Sequence, residues 1–238
     1  ETPISNFETR LDDSYRERTD PAVTVKVQIK DYDIDASILI WTTTPWTLPS
    51  NLAIAVNENL DYLILSNEKE NIIIGEFALE KYKEELANFK IIKKIKGSEV
   101  VGLKYEPIFP YFKNEKNAFK ILSGEFVNTE EGTGIVHMAP GFGEDDQIIC
   151  EENGIRSICP VDLKGRFTSE VEDYSGVLVF DSNKEIIKKL KSNDVLIKHE
   201  NYKHNYPHSW RTDEPLIYRT LNSWYVEVSK FKDNMVKN

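Results

Sequence analysis

The stretch "IWTTTPWTLPSN", residues 40–51, decides how the chain is read. It continues an apolar run, residues 37–41, that has the texture of a strand. Threonine, branched at Cβ, extends a strand comfortably, but Pro45 and Pro49 each lack a backbone N–H, so the ladder has to stop near Thr44. Three threonines therefore stand where a strand hands over to a loop. Hydroxyls at such a place can face solvent, satisfy nearby backbone groups, or line a pocket on a rigid support.

Working outward, "AVTVKVQI" (22–29) alternates apolar and polar residues, and "ASILIWTTT", "LAIAVN" and "DYLILSN" follow, which predicts a meander of strands up to residue 67. Phe77, Leu79, Tyr82 and Leu86 fall near helical spacing in "GEFALEKYKEELANF". "FKIIKKIKG" and "VVGLKYEPIF" resume the strand pattern. Further on, "FVNTEEGTGIVHMAP" reads as a hairpin, "FGEDDQIICEENG" as a turn entering a helix that stops at Gly154, and "SNKEIIKKLKSND" as a helix with Asp181 as its cap. Strands outnumber helices without alternating with them, which predicts an α+β, mainly β architecture, barrel-like rather than doubly wound. The aromatic closing stretch from Asn205, with two prolines, reads as a separate appendage.

The chain has 238 residues, enough for one large domain or two small ones. A formal net charge of -10 argues against a general nucleic-acid-coating surface, because phosphate contacts need Lys and Arg. The lysine clusters near residues 90–97 and 183–194 read as solvated faces. Two cysteines are too few to staple a chain of this size, and no signal-peptide pattern opens it, so a reducing, cytoplasmic setting is expected. The four histidines and two cysteines match no common zinc spacing, and no apolar run approaches the roughly 20 residues of a membrane span. Neither metal nor membrane is implied.

The second conspicuous stretch is "GTGIVHMAPGFGEDDQ", residues 132–147. Its glycines let backbone pass close to a ligand, and His137 lies just before the turn at Pro140. The acidic trio Glu144, Asp145 and Asp146 opens a predicted helix, where carboxylates are favoured by the dipole and by capping whatever the function. The glycines lack the Gly-Lys-Ser/Thr ending of a phosphate loop, and there is no Gly-x-Ser-x-Gly elbow.

Together, "WTTTPWTLPSN" and "GTGIVHMAPGFGEDD" resemble the threonine-rich and Gly-His-Asp segments of the editing insertion of isoleucyl-tRNA synthetases. "YRERTDPAVTVKV", "LKYEPIFPYF" and "NYPHSWRTDEPLIYRTLNSWYV" extend the resemblance over almost the whole chain. It implies a barrel-like editing domain with peripheral helices over residues 21–201, an N-terminal connector over 1–20, and a segment over 202–238 returning toward the synthetic domain. The His-x-Gly-His and Lys-Met-Ser-Lys-Ser type signatures for ATP are not in the sequence, so aminoacylation is not expected.

The activity implied is hydrolysis of valine esterified to the acceptor end of tRNA(Ile), or of valyl-adenylate, without a cofactor, alongside the rest of the synthetase. A second, hydrolytic site is needed because one methylene is worth only about 1–3 kcal/mol of discrimination, this enzyme family being the usual illustration of that limit. By resemblance, Asp146 would anchor the substrate ammonium, while Thr42, Thr43 and Thr44 would hold the adenosine, the carbonyl and the water. Trp46 and His137 would bound the side-chain pocket, and Asn51 would bind the tRNA end or fix the loop. Two alternatives stay open on the residues alone: a module that only binds the acceptor end, and an unrelated metal-free esterase.

Overall fold

A computed structural model of the chain describes residues 4, 5, 8–10, 14–224 and 226–236. Among these, ten strands form one mixed sheet, and its organising member is β1 (Tyr15–Lys30). The first part of β1 pairs antiparallel with β10 (Leu196–Pro207), from Tyr15 opposite Pro207 to Thr24 opposite Lys198. Its middle pairs with β2 (Ser37–Thr42), from Val23 opposite Thr42 to Gln28 opposite Ser37, and its end reaches β7 (Lys104–Tyr105). From β7 the sheet passes to β8 (Lys120–Ser123), β3 (Ala53–Val56), β9 (Ile135–Met138) and back to β2. Six strands, β1-β7-β8-β3-β9-β2, thus close into a ring. From β2 a wing continues through β5 (Asn71–Gly75) and β4 (Asp61–Ser66) to an open edge at β6 (Lys90–Lys96).

Strand alternation divides the core in two. Val23, Val25, Val27, Ile38, Ile40, Ile54 and Val56 belong to the cluster inside the ring, while Leu39 joins Leu63, Leu65, Ile72 and Ile74 beneath the wing. Burying each such side chain stabilises the fold by roughly 1.5–3 kcal/mol. Two helices flank the ring: α1 (Glu144–Glu152) and α2 (Val179–Ser192). In α2 the buried positions Val179, Asn183, Ile186 and Leu190 recur at helical spacing and press one face inward.

The mainly β, ring-shaped architecture agrees with the sequence reading; several local expectations do not. No meander runs from β2 to β3, because β3 pairs with β8 and β9 instead. The expected helix over residues 75–89 is a 3₁₀ segment, Glu76–Tyr82, followed by turns, its Ala78 and Tyr82 tucked under the wing. The expected hairpin over 126–140 contributes one strand, β9, after a run of turns. Within "VVGLKYEPIF" only the two residues of β7 are strand. Asp181 lies in the first turn of α2 and not at its cap, which is Leu178.

The boundaries proposed at 20/21 and 201/202 both fall inside strands, since β1 and β10 stay paired across them. Of the connector over 1–20, residues 1–3, 6, 7 and 11–13 lie outside those described. The closing stretch is not set apart: residues 216–220 are bonded back to β10 and to the loop before α1.

The outer part of the β1–β10 ribbon carries Arg18, which pairs with Asp20 at 2.8 Å and lies over the rings of Phe180 and Tyr206 at 4.8 and 5.3 Å. A chain cut to residues 21–201 loses Arg18 from over Phe180 of α2, together with its partners Asp20 and Tyr206. Two cation–π contacts and a partly buried pair together contribute on the order of 2 kcal/mol. The cut chain should melt roughly 4–8 °C lower by far-UV circular dichroism.

Candidate active site

β2 ends at Thr42 as the prolines dictate, and residues Pro45–Ser50 form a buried 3₁₀ turn. Thr47 N–H donates to the Thr44 carbonyl (3.0 Å) and Asn51 N–H to that of Leu48 (3.0 Å). At three residues per turn, Thr44 and Thr47 come onto one face. Thr42, Thr44 and Thr47, with Trp41, Val136, His137, Ala139, Phe142 and Asp146, line a cavity of about 200 Å³. The cavity sits where β2 and β9 run parallel, Trp41 beside Val136, and is capped by the loop that enters α1.

The polar groups of the cavity form a directed chain. Asn51 Nδ2 faces the Ala53 carbonyl at 2.9 Å, which can only accept, so the amide orientation is fixed. Its Oδ1 then accepts from the Tyr105 hydroxyl at 2.6 Å. The same Nδ2 donates to His137 Nδ1 at 3.2 Å. With Nδ1 accepting, Nε2 carries the proton and donates it to Thr47 Oγ1 at 2.7 Å, and the Thr47 hydroxyl donates to the Thr44 carbonyl at 2.8 Å. Burial pushes the His137 pKa from 6.5 down to about 4, so the ring is neutral near pH 7. Both of its nitrogens are committed.

Thr42 Oγ1 accepts the Thr44 N–H and contacts Thr44 Oγ1, both at 3.1 Å. Thr44 Oγ1 meets Thr47 Oγ1 only at 3.4 Å, a weak contact, so the Thr44 proton is the one most readily turned toward a ligand. Asp146, in the first turn of α1, takes the Ala139 N–H on Oδ2 at 2.8 Å. Burial raises its pKa, and the Ala139 bond only partly offsets this. Gly143 makes room for it: a Cβ there would lie 2.9 Å from the Asp146 carboxyl carbon.

Of the residues singled out in the sequence, Thr42, Thr44, His137 and Asp146 meet in this cavity. Thr43, just past the end of β2, does not line it. Trp46 is buried, edge-on to Phe142 at 5.0 Å and to Phe180 of α2 at 6.1 Å, and it is Phe142, not Trp46, that lines the cavity. Asn51 lies behind His137 and orients it. Thr47, Phe142 and Tyr105 were not anticipated. The three-residue period after Pro45 was a usable signal for Thr47; nothing local marks Tyr105, which arrives from the other side of the ring.

A second depression, about 290 Å³, shares the Trp41 wall and is lined also by Lys81, Tyr82, Glu131, Lys198 and Tyr202. Among the described residues no group of three or more His, Cys, Asp or Glu side chains is arranged to hold a metal ion, and no helix is long and apolar enough to cross a membrane.

No protein-family profile matches the chain. Among solved structures it is similar to GlLeuRS-CP1 (TM-score 0.60, 16% identity, 75% of this chain and 98% of that one). It is also similar to the P. falciparum cytosolic leucyl-tRNA synthetase editing domain (TM-score 0.58, 14% identity, 77% and 99%). The fold is that of the editing domains of aminoacyl-tRNA synthetases. Along its full length the chain is 52% identical to the isoleucine–tRNA ligase of Rickettsia typhi, covering 24% of it, and 53% identical to that of Rickettsia africae, covering 22%. The chain thus matches isoleucine–tRNA ligases along its whole length and spans about a quarter of the length of these relatives.

Two outcomes follow from this geometry. Nitrogen NMR should find His137 neutral with the proton on Nε2 down to about pH 4; a proton on Nδ1 would break the chain. Because the folded pKa lies below the unfolded one, this residue's contribution to stability is intact above about pH 6.5 and lost as pH falls toward 4, so thermal midpoints should drop across that window. Trp46→Ala, emptying a core position, should cost about 3–5 kcal/mol of unfolding free energy in denaturant titration.

Proposed function

We propose that the cavity hydrolyses the ester between valine and the terminal adenosine of tRNA(Ile), or the mixed anhydride of valyl-adenylate, as a proofreading site. The observation that carries this reading is the presence, in one small cavity, of a carboxylate held by a backbone amide and a cluster of hydroxyls. At about 200 Å³ the space is below the roughly 300–1,000 Å³ of sites for drug-sized ligands, so it suits an amino-acid acyl group and not a whole nucleotide. The neighbouring depression across Trp41 would take the nucleoside side of the substrate.

Asp146 is the natural partner of the acyl group's ammonium. The ester is already activated, so the site has to orient a water and stabilise a developing oxyanion, a task for the Thr42 and Thr44 hydroxyls. His137 acts here as a neutral wall and not as a base, because neither nitrogen has a lone pair to spare. Phe142, backed by Trp46, bounds the cavity together with His137 and Thr47, and an added methyl group would meet this boundary. A module that only binds the acceptor end is the rival reading; steady turnover of valyl-tRNA(Ile) separates the two.

In a deacylation assay with valyl-tRNA(Ile), Asp146→Asn should cost about 2–5 kcal/mol in kcat/KM, since it leaves the ammonium without its counter-charge. Asp145→Asn, an exposed neighbour, should leave the rate unchanged; equal loss in both variants would sink the anchoring role. Anchoring needs the anion, so activity should fall on the acid side at a pH above the ordinary carboxylate value of 3.8. Thr44→Ala should cost about 1–3 kcal/mol at the transition state with an unchanged melting temperature. Phe142→Ala should admit isoleucyl-tRNA, narrowing a discrimination of roughly tenfold to a few hundredfold.

A further inference from the structure

The loop of residues 139–143 carries both the amide that holds Asp146 and the ring of Phe142. Its first peptide is tied to the residue before β3, where Leu52 N–H donates to the Met138 carbonyl at 3.0 Å, and the Phe142 ring lies edge-on to Trp46 at 5.0 Å. Phe142 N–H donates to the Ala139 carbonyl at 2.8 Å, and the Ser157 hydroxyl donates to the Pro140 carbonyl at 3.0 Å. Gly141 packs against the backbone at Ile158 so closely that a Cβ would collide with that carbonyl. A further tie comes from far along the chain: Thr220 N–H donates to the Gly141 carbonyl at 2.9 Å.

Residues 216–220 are themselves firmly seated. Leu216 N–H donates to the Pro207 carbonyl at 3.0 Å, and the Tyr206 hydroxyl donates to the Leu216 carbonyl at 2.8 Å. Ile217 packs against the main core, over Gly165, where a Cβ would lie 2.6 Å from its Cδ1. The Tyr218 hydroxyl reaches Glu144, at the start of α1, at 3.5 Å. Beyond this segment Leu221, Trp224 and Val226 are exposed. The segment therefore bridges β10 and the site loop, with its final bond made to the loop.

We propose that residues 216–220 form a positioning strap for the active site. Thr220, through its backbone N–H, fixes Gly141 and so adds to Leu52 in holding the Ala139 amide where it can bind the Asp146 carboxylate. The strap touches no substrate. Its effect passes through the loop to Asp146 and Phe142, so it governs how well the ammonium is met more than the hydroxyl chemistry on β2. The functional half of this inference rests on the anchoring role proposed for Asp146; the structural half does not.

The test uses the 238-residue chain and two substitutions at one position. Thr220→Ala keeps the N–H, whereas Thr220→Pro removes it. Amide hydrogen exchange of Ala139 reads the structural half without any substrate: it should be at least tenfold faster in Thr220→Pro and unchanged in Thr220→Ala. Deacylation of valyl-tRNA(Ile) reads the functional half: KM should rise about tenfold in Thr220→Pro with kcat changed less than threefold, and Thr220→Ala should match the parent. Ile217→Ala, which loosens the seat while leaving every backbone donor in place, should move both readouts the same way to a smaller extent and guards against a local effect of the proline ring. Unchanged Ala139 exchange in both Thr220→Pro and Ile217→Ala overturns the strap. Faster exchange with unaltered KM overturns its role in positioning. If the parent chain does not deacylate valyl-tRNA(Ile), the hydrolytic reading fails and the exchange data alone decide the strap.

Discussion

The antiparallel pairing of β1 with β2, from Val23 opposite Thr42 to Gln28 opposite Ser37, is the constraint on which the rest depends. It closes the ring, and by closing it fixes the register in which β2, ended by Pro45, meets its neighbours. Without that closure β2 would be one strand of an open sheet, free to slide in register, and the residues following it would have no defined relation to β9. With it, Trp41 is held beside Val136, and the 3₁₀ turn after Pro45 has to lie against the loop entering α1. The proline that ends the strand is thus used twice, once to stop the ladder and once to start a turn whose three-residue period brings Thr44 and Thr47 together.

Behind this surface lies a second layer that determines what the first can do. Tyr105, from across the ring, and the Ala53 carbonyl hold Asn51; Asn51 holds His137; His137 holds Thr47. Each bond has one permitted direction, because a backbone carbonyl at one end can only accept. A histidine committed in this way keeps its shape but loses its chemistry as a base. The anionic end of the site is arranged differently, with a carboxylate at a helix start whose pKa is raised by burial while a loop amide favours its charged form.

The sequence was most legible where a side-chain pattern is repeated and self-contained. The period-two run of β1 and the helical spacing of α2 could be read directly, and so could the stop imposed by Pro45. Illegible were features decided by distant partners. The separation of β2 from β3 follows from β9, some eighty residues later, entering between them. The short segment Glu76–Tyr82 offers apolar residues that suit either a 3₁₀ or an α-helical period, and only its packing under the wing decides. In the site, Thr42, Thr44, His137 and Asp146 were recognisable by residue type and resemblance. The ranking of Trp46 and Asn51 as supports that do not line the cavity was not, because size and polarity do not reveal which of two neighbouring aromatic residues faces the void.

A ring that closes has no edges of its own, so the sheet's open margins are displaced to its two ends, β10 on one side and, beyond the wing, β6 on the other. The latter strand exposes Ile91 and Ile92, which in isolation would invite another strand to add alongside. Lys90, Lys93, Lys94 and Lys96 interrupt the margin, and three of them are tethered to carboxylates at its sides: Lys93 to Glu99, Lys94 to Glu76, and Lys96 to Asp61. They act as gatekeepers against aggregation, and their protection is electrostatic. High salt, or neutralisation of these lysines by acylation, would expose a sticky border on a protein whose candidate site is untouched, so colloidal stability and the integrity of that site are separable properties of this fold.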